Sequence, residues 1–477
     1  MGVSRVLVVV FAVLSMFGNL VFARVESTNE FKPNEVIVKY KDNARRNRAM
    51  MQRLYTTVGV MKVKRFQGSV RQFEQLFLAE GTGLEKALKE LESNSFVEYA
   101  QPNYIVKAFP EAAPRVRPSD DGGVPCIPGI EIPGCTPLPC LLPGWPPGCD
   151  EDGGGGNQPA PGRPPVADKP NDVSPPIADP QLSSSYGLSK IAAPDAWKAA
   201  QGSQDIVVAV IDTGVDYNHE DLSFNMWRNP NPKNNDLVGW DFIHDDNLPF
   251  DDHSHGTHCA GVIGAVGANG KGISGVNQRV SIMALKFLSA QGSGDTAGAI
   301  RAIGYAVENG AKVLSNSWGG KGDEDNKGLR DAIELAERKN VLFIAAAGND
   351  GTDNDKDPTF PASFDAPNLI SVAATDSNDK MAYFSNRGKK SVHLGAPGVD
   401  VLSTVPANKY KTMSGTSMAC PFVAGAAALV WSANPGLSPA QVKQALLESV
   451  DPVVSLQGQS VTGGRLNVAN AVRKVMR

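Results

Sequence analysis

Three residues of the types used in nucleophilic catalysis lie at the edges of apolar runs. Asp212 follows the run IVVAVI, His255 begins HGTH before the stretch CAGVIGAV, and Ser417 lies in GTSMA before a second apolar stretch. A serine hydroxyl needs a neighbouring base to take its proton, and a buried carboxylate keeps that base in the correct tautomer. These residue types predict a catalytic group with Ser417 as nucleophile, His255 as base and Asp212 as carboxylate.

The stretch after Ser417 supports a chemical role for that serine. MACPFVAGAAALVWSA is apolar on nearly every face, which predicts a buried helix with Pro421 in its first turn. The N-terminus of a buried helix offers unpaired N–H groups and the positive end of the helix dipole. We therefore expect the Ser417 N–H to help hold an oxyanion. The alternative is an N-cap serine with no chemical role.

Continuous apolar runs alternate with helical patterns from about residue 179 to residue 477. The runs IVVAVI, VSIMAL and VLFIAAA show no polar alternation. Strands of this kind are buried on both faces, and the helices between them supply the crossovers of a parallel sheet. Ligands bind outside the carboxyl ends of such strands, where Asp212 stands. The predicted fold class is α/β, a doubly wound parallel sheet.

The first 23 residues, MGVSRVLVVVFAVLSMFGNLVFA, have the pattern of a signal peptide. Gly18 and Asn19 interrupt the apolar core, which is then too short for a comfortable membrane span. We expect cleavage near Ala23 and secretion, with no membrane attachment afterwards. A retained N-terminal anchor is the alternative.

Two further segments precede the large domain. In residues 24–109, strand-like runs such as EVIVKYK alternate with helical ones such as GLEKALKELES, which predicts a small α+β domain of βαββαβ type. Residues 110–178 are rich in Pro, Gly and Asp without apolar periodicity, which predicts a linker. In an exported protein we expect its cysteines to pair, in combinations that the sequence leaves open. They are Cys126, Cys135, Cys140 and Cys149.

The composition argues against one class of partner. The chain has 477 residues, with 46 Lys and Arg against 50 Asp and Glu and a formal charge of −4. No long basic run is present to neutralise phosphates, so we expect no nucleic-acid partner. The length indicates two or three folded units.

The boxes VIDTG, HGTHCAG and GTSMA, in the order Asp, His, Ser, resemble those of the subtilisin-like serine proteases, the subtilases. Cys259, directly after HGTH, is similar to the cysteine of the thiol-containing, thermitase- and proteinase K-like branch. Residues 24–109, with their ending VEYAQPNY, resemble the inhibitory propeptide of the family. The resemblance implies a subtilisin-like catalytic domain over residues 179–477, polypeptide substrates, and an intramolecular inhibitor before it.

The resemblance also implies further site residues. Asn349, after the run VLFIAAA, is similar to the residue whose side-chain amide binds the oxyanion. Two segments resemble those that flank a substrate bound as an added strand, a mode that gives broad specificity through main-chain hydrogen bonds. They are Gly292, Ser293 and Gly294 on one side, and Ser317, Trp318 and Gly319 on the other.

Two residues depart from the family pattern, and a third has an open role. Trp318 stands where family members often carry leucine, so we expect a differently shaped pocket. Phe422 stands where the family has histidine, and we expect altered packing with activity retained. Asp350 either favours a basic substrate residue or is a solvated loop acid.

Acidic loops resemble the calcium sites of the family, which implies structural calcium as cofactor. The first candidate comprises Asp179, Asp221 and Asn269, and the second comprises Asp241 and Asp246. His244 stands in the second loop where an acid is expected. Solvated surface acids are the alternative for both sites.

Histidines and thiols invite two other interpretations. The histidines near the HGTH box suggest zinc, but the helical HExxH arrangement is absent, and His258 is more simply a structural histidine. Cys259 and Cys420 have no base of their own, so we interpret them as packed thiols.

The resulting hypothesis is a secreted, monomeric serine endopeptidase made as a self-processing zymogen. One rival is a non-catalytic secreted binding protein on the same scaffold. The other is a zinc peptidase that uses the clustered histidines.

Overall fold

The structure is a computed structural model that describes residues 30–41, 48–111, 178–321 and 326–476. The predicted signal peptide, most of the predicted linker and the linker cysteines lie outside the described residues.

The N-terminal part is a small α+β unit. Its elements are β1 (Phe31–Tyr40), α1 (Arg48–Val58), β2 (Val60–Arg65), β3 (Phe73–Leu78), α2 (Leu84–Glu92) and β4 (Val97–Ala108). β1 pairs antiparallel with β3 on one side and β4 on the other. Alternate β1 residues such as Val36 and Val38 pack with Leu91 of α2 in one apolar core, because successive side chains of a strand face opposite ways. The element order is the predicted βαββαβ.

The larger part contains the remaining elements. Its strands are β5 (Gly202–Asp212), β6 (Gly239–Asp241), β7 (Arg279–Lys286), β8 (Ser293–Asp295), β9 (Val313–Asn316), β10 (Trp318–Lys321), β11 (Leu342–Ala346), β12 (Thr359–Phe360), β13 (Leu369–Thr375), β14 (Leu394–Pro397), β15 (Val401–Val405), β16 (Lys409–Met413), β17 (Asp451–Pro452) and β18 (Gly464–Arg465). Its helices are α3 (Tyr186–Lys190), α4 (Ala193–Ala196), α5 (His255–Gly264), α6 (Thr296–Glu308), α7 (Lys327–Arg338), α8 (Thr416–Ala433), α9 (Pro439–Leu447) and α10 (Val468–Val475).

The main sheet has nine strands in the order β17-β18-β14-β13-β11-β9-β5-β7-β6, and only β17 pairs antiparallel. Helices cover both faces of this sheet. Val208 and Val210 of β5 pack in the core that contains α5 and α8, whereas Ala209 and Ile211 pack in the core that contains α6 and α7. A strand buried on both faces needs no polar alternation. The predicted doubly wound α/β class is confirmed.

Helix α8 is the buried centre of the larger part. Every residue from Thr416 to Trp431 is buried, which follows from an apolar sequence on all faces. Among the described residues, α8 alone has the length and apolar composition to span a membrane, and here it is a core helix of the folded domain.

Strand β4 joins the two parts. Its first portion pairs with β1, and its last portion lies between β8 and β10 of the larger part. The end of the small unit thus forms the middle strand of a cleft at the carboxyl edge of the main sheet.

Candidate active site

Asp212 and His255 meet at the end of the buried strand β5. His255 is the first residue of α5, and its Nδ1 lies 2.7 Å from Asp212 Oδ1. Both residues are buried, His255 at 5% and Asp212 at 1% exposure. Gly256 permits this approach, because a Cβ there would collide with the Gly214 carbonyl oxygen. With Nδ1–H donating to the carboxylate, the His255 Nε2 carries the free lone pair.

The carboxylate controls the proton affinity of the imidazole. Burial alone lowers the pKa of His255, but the charge of Asp212 and its hydrogen bond more than offset this. The pKa of His255 therefore lies above its ordinary value of 6.5. A protonated imidazole is stabilised here, as a general base requires after it has accepted a proton.

Asp251 fixes the turn that presents His255. One Asp251 carboxylate oxygen accepts a 2.8 Å hydrogen bond from the Thr213 hydroxyl, and the other accepts one of 2.9 Å from the Thr257 N–H. The Thr213 oxygen accepts in turn from the Gly256 N–H at 2.9 Å. This network ties the end of β5 to the start of α5. Sequence analysis missed Asp251, whose only signal was an acid shortly before the HGTH box.

Ser417 is the second residue of α8 and is 1% exposed. Its hydroxyl donates to the Ser317 carbonyl at 3.2 Å. Among the described residues, His255 Nε2 has no hydrogen-bond partner. The Ser417 hydroxyl is thus hydrogen-bonded to the backbone between β9 and β10, and within the described chain the base nitrogen is unengaged.

Asn349 is held by the residue before Ser417. The Asn349 side-chain oxygen accepts from the Thr416 N–H at 2.9 Å and from the Thr416 hydroxyl at 2.7 Å. Its nitrogen is therefore turned outward, and it donates to the Pro110 carbonyl at 2.9 Å. The predicted oxyanion asparagine thus binds the backbone carbonyl of a residue two positions after the end of β4. Sequence analysis did not assign Thr416, although it lies inside the GTSMA box.

The two predicted substrate segments lie on either side of β4. Val106 pairs with Gly294, and Lys107 lies opposite both Ser293 and Gly319. The Ala108 N–H donates to the Gly292 carbonyl at 2.8 Å, and Ala108 pairs with Trp318. The structure therefore brings five of the six predicted segment residues to β4, and the sixth, Ser317, accepts at 3.5 Å from the N–H of the next residue, Phe109.

The two residues that depart from the family pattern, and Asp350, each contact a specific neighbour in the structure. Trp318 is fully buried and packs its ring against Phe287, with centroids 4.8 Å apart. Phe422 is buried against Gly187, where an added Cβ would collide with its ring. Asp350 lies 3.6 Å from Lys321, so a cation already faces this acid.

The thiols are enclosed. Cys259 and Cys420 are free and buried, and burial raises the pKa of both, that of Cys420 to about 11. Cys259 Sγ lies 3.5 Å from the Ser417 carbonyl oxygen. A thiol held in its protonated form is a poor nucleophile, which favours the interpretation of both as packed residues.

The histidines near the box have separate partners. His258 Nε2 lies 3.0 Å from the Val401 carbonyl oxygen, and burial lowers its pKa to about 3. His244 Nδ1 lies 2.8 Å from Asp241 Oδ2. In the described ranges, the one group of metal-ligating residue types that converges on a point is Asp212, His255 and Cys259. The geometry of the histidines therefore gives no support to the zinc interpretation.

The first predicted calcium loop gathers its three residues. Asp179 and Asp221 are buried, at 6% and 0% exposure. The Asn269 N–H donates to Asp179 at 3.0 Å, and its side-chain amide lies 2.8 Å from Asp221. Burial raises the pKa of both carboxyl groups, that of Asp221 to about 6. No lysine or arginine of the described chain forms an ion pair with either acid. Two buried carboxylates without an ion-pair partner in the described chain are oxygen ligands of the kind that calcium prefers.

The second predicted calcium loop fits an ion less well. Asp241 and Asp246 are joined by backbone hydrogen bonds, of which the Asp241 N–H donates at 2.9 Å. One Asp241 oxygen accepts from two loop N–H groups, and the other faces the His244 ring. Both Asp241 oxygens are thus already engaged, one by N–H groups of the loop and the other by the imidazole.

Family models match two parts of the chain. The model of the subtilase family matches residues 203–470. The model described as the fervidolysin N-terminal prodomain matches residues 21–103.

Individual proteins extend these matches. Thermitase of Thermoactinomyces vulgaris is 40% identical over 296 residues, which cover 62% of this chain and 98% of thermitase. The thermophilic serine proteinase of Bacillus sp. (strain AK1) is also 40% identical, over 60% of this chain and 66% of its own.

A solved structure has the same fold. The crystal structure of fervidolysin from Fervidobacterium pennivorans, a keratinolytic enzyme related to subtilisin, superposes with a TM-score of 0.69 at 24% identity. The match covers 94% of this chain and 62% of fervidolysin. At this identity the similarity concerns the fold.

Proposed function

This chain belongs to the subtilase family of serine endopeptidases, and on that basis we propose that Asp212, His255 and Ser417 form its catalytic triad. The observation that carries the proposal is the 2.7 Å contact between His255 Nδ1 and Asp212 Oδ1 beside a cleft that holds an extended strand. A buried imidazole fixed in this way keeps Nε2 available as a base.

The chemistry follows from the positions of these groups. The Ser417 hydroxyl turns from the Ser317 carbonyl to His255 Nε2, gives up its proton there, and attacks the substrate carbonyl carbon. The Asn349 side-chain amide and the Ser417 N–H hold the resulting oxyanion. The C–N bond then breaks as His255 protonates the leaving nitrogen, and water releases the acyl group by the reverse sequence.

The substrates are polypeptides bound as an added strand between β8 and β10. The contacts to β4 are main-chain hydrogen bonds, such as that from Ala108 N–H to Gly292. Main-chain contacts do not select side chains, which favours broad specificity. The pairing of Asp350 with Lys321 offers a substrate cation little advantage.

The N-terminal unit acts as an intramolecular inhibitor. Its last strand fills the cleft, and Asn349 binds the carbonyl of Pro110 just beyond that strand. We propose that the chain is exported as a monomeric zymogen and processes itself. The apolar N-terminal run supports export.

Calcium is proposed at the first loop, where Asp179, Asp221 and Asn269 would hold it. The ion would supply positive charge to two buried carboxylates that the fold otherwise leaves without a cation. Its role is to stabilise the fold, and no step of the reaction passes through it.

The decisive experiment combines one variant with one label. Ser417→Ala should leave an uncut precursor that neither hydrolyses casein nor reacts with phenylmethanesulfonyl fluoride. The wild-type chain should do both, because only a serine activated by its base is sulfonylated. A wild-type protein that takes up no label and cuts no casein would instead be a binding protein on this scaffold.

A further inference from the structure

The N-terminal unit contacts helix α6 of the larger part as well as the cleft. Its turn Gly68–Val70 packs on this helix, and Val70 is 2% exposed in an apolar cluster that includes three alanines of α6. The Ser69 N–H donates to the carboxylate of Glu308, the last residue of α6. The unit is therefore held at a second place, separate from the strand pairing of β4.

Gly304 of α6 leaves the space that Val70 fills. A Cβ built on Gly304 would lie 2.8 Å from Val70 Cγ2 and 3.0 Å from Cγ1, closer than carbon atoms pack. The three heavy atoms nearest to that Cβ all belong to Val70. Apart from the adjacent residues and the backbone of α6 itself, no described group of the larger part comes closer than 3.5 Å. The larger part by itself thus has room for an alanine here.

The glycine brings no advantage to the helix that contains it. Gly304 is the ninth of the 13 residues of α6 and has a helical backbone that alanine adopts without strain. A glycine inside a helix loses more backbone freedom on folding than an alanine does, so it destabilises the helix. The close neighbour that requires the missing Cβ is Val70. The position therefore fits the N-terminal unit at the expense of the larger part.

The place of this contact separates it from the substrate site. Gly304 lies eight residues after Thr296, the start of α6, which is about 12 Å along the helix from the cleft strand β8. The cleft contacts are main-chain hydrogen bonds, which any extended polypeptide can make. A folded unit that carries the turn Gly68–Val70 can contact the cleft and α6 together, whereas an extended substrate in the cleft cannot.

We propose that the Val70–Gly304 contact is the recognition site by which the larger part holds its own inhibitor in preference to substrates. Specificity is a difference of affinities, and this contact adds affinity for the inhibitor alone. Because the contact is apolar, salt does not screen it. The inference rests on the proposed function, since it takes the N-terminal unit to be the inhibitor.

The first test compares Val70→Ala with the wild-type full-length chain. The substitution lies outside the larger part, so the matured enzymes should hydrolyse casein equally. Loss of the two buried methyl groups weakens the contact with α6, and latent activity should appear about tenfold faster after dilution of the precursor.

Gly304→Ala tests the same contact from the other side. The added Cβ collides with Val70, so the precursor should again activate about tenfold faster. The mature enzyme should instead gain about 2 °C in Tm, because alanine is the better helix former. Gly298→Ala is the matched control in the same helix. Its Cβ would meet Asp295 and Phe287 of the larger part at 3.4 and 3.5 Å, and activation should not change.

The double variant shows whether the two residues act through each other. In Val70→Ala/Gly304→Ala, the new Cβ of residue 304 occupies space that the valine methyl groups have left. Activation should therefore be slower than the product of the two single effects predicts. A double variant whose rate equals that product would overturn the inference, since the two residues would then act independently.

Hydrogen exchange provides a readout that needs no catalysis. In the uncut Ser417→Ala chain, Gly304→Ala should accelerate backbone exchange in residues 66–73, and Gly298→Ala should not. If exchange and activation are the same for Gly304→Ala and Gly298→Ala while casein hydrolysis is normal, the inference is wrong and the proposed function stands. If the wild-type chain never gains activity, the inhibitory role is lost and the inference falls with the proposed function.

Discussion

Thr416 donates two hydrogen bonds to the side-chain oxygen of Asn349. Two donors of one residue, the N–H at 2.9 Å and the hydroxyl at 2.7 Å, converge on Asn349 Oδ1. An amide held at its oxygen has one orientation left, and its nitrogen then faces the cleft. The hydroxyl also accepts from the Gly348 N–H at 3.2 Å, which fixes its own direction.

Thr416→Val should reduce kcat and leave KM nearly unchanged. Valine keeps the shape and removes the hydroxyl, so the Asn349 amide can rotate away from the position where the oxyanion forms. Removing the amide itself, in Asn349→Ala, should cost about a hundred- to a thousandfold in kcat, and the loss in Thr416→Val should be smaller. Steady-state kinetics on a peptide substrate would give both constants.

A double variant separates positioning from packing. Thr416→Val should have almost no further effect on kcat in the Asn349→Ala background, because the group that it orients is gone. Thr416→Ser, which retains the hydroxyl, is the matched control. Additive losses in the double variant would mean that Thr416 acts by another route.

The activity should fall with acid through the pKa of His255. The imidazole must be neutral to accept the Ser417 proton, so activity requires a pH above this pKa. Because Asp212 holds the pKa above 6.5, the acid limb of kcat/KM should lie higher than that of an unperturbed histidine. Glu111, which follows β4, makes a smaller contribution to the raised pKa of His255 in the full-length chain. That contribution disappears once the segment after β4 has left the cleft.

Asp212→Asn should shift the acid limb of kcat/KM to lower pH. The substitution removes the charge that raises the pKa of His255 and leaves the burial that lowers it. It should also lower kcat by about 10³- to 10⁴-fold, since the tautomer is no longer fixed. Profiles of kcat/KM against pH for both proteins would check the two effects. An unchanged limb would show that another group sets the acid side.

The sequence predicted the fold where local pattern dictates it. A short apolar run rich in valine and isoleucine, such as that before Asp212, favours a strand buried on both faces, and a polar residue at its end then lies at the carboxyl edge of the sheet. The apolar stretch after Ser417 likewise permits only a buried helix. The meeting of Asp212 with His255 also requires the close approach of α5 to β5 at Gly256, where a Cβ would collide with the Gly214 carbonyl oxygen.

Contacts between distant segments were beyond the same reasoning. The carbonyl of Ser317 that accepts from Ser417 comes from the link between β9 and β10, and no sequence periodicity predicts which backbone oxygen lies there. The partner of Asp350 is Lys321, and that pairing depends on the path of a loop. The predicted roles of the site residues and the predicted segment boundaries stay predictions.

The attachment of the inhibitor should weaken with salt. Lys39 of the N-terminal unit lies 2.9 Å from Asp331 of α7, and the Tyr99 hydroxyl donates to the same carboxylate. Lys32 of the N-terminal unit likewise forms an ion pair with Asp295 of the larger part. Because the cations lie on one part and the anions on the other, added salt screens the attraction between them. Latent activity should therefore appear faster at high ionic strength in the full-length chain.

Asp331→Asn should reproduce part of that effect at low salt. The amide loses the charge that Lys39 pairs with, so the precursor should activate several-fold faster and depend less on salt. Glu337→Gln, which removes one charge from the same helix, is the control and should behave like the wild-type chain. Rates of casein hydrolysis after dilution of the precursor would compare the three proteins. Equal salt dependence of all three would exclude this ion pair as a contributor.

Calcium should stabilise the protein most at neutral and alkaline pH. In the metal-free fold, burial raises the pKa of Asp221 from 3.8 to about 6. A raised pKa means that the folded state holds the proton more tightly than the unfolded state, so this group adds stability at low pH and the contribution is lost as the pH rises through about 6. Calcium replaces that proton as the partner of the carboxylate.

The increase in Tm on adding calcium after chelation should be larger at about pH 8 than at about pH 5. Asp221→Asn should lose most of the increase at both pH values, whereas Asp246→Asn, in the loop where His244 faces Asp241, should keep it. An equal increase at both pH values in the wild-type chain would place the stabilising ion elsewhere.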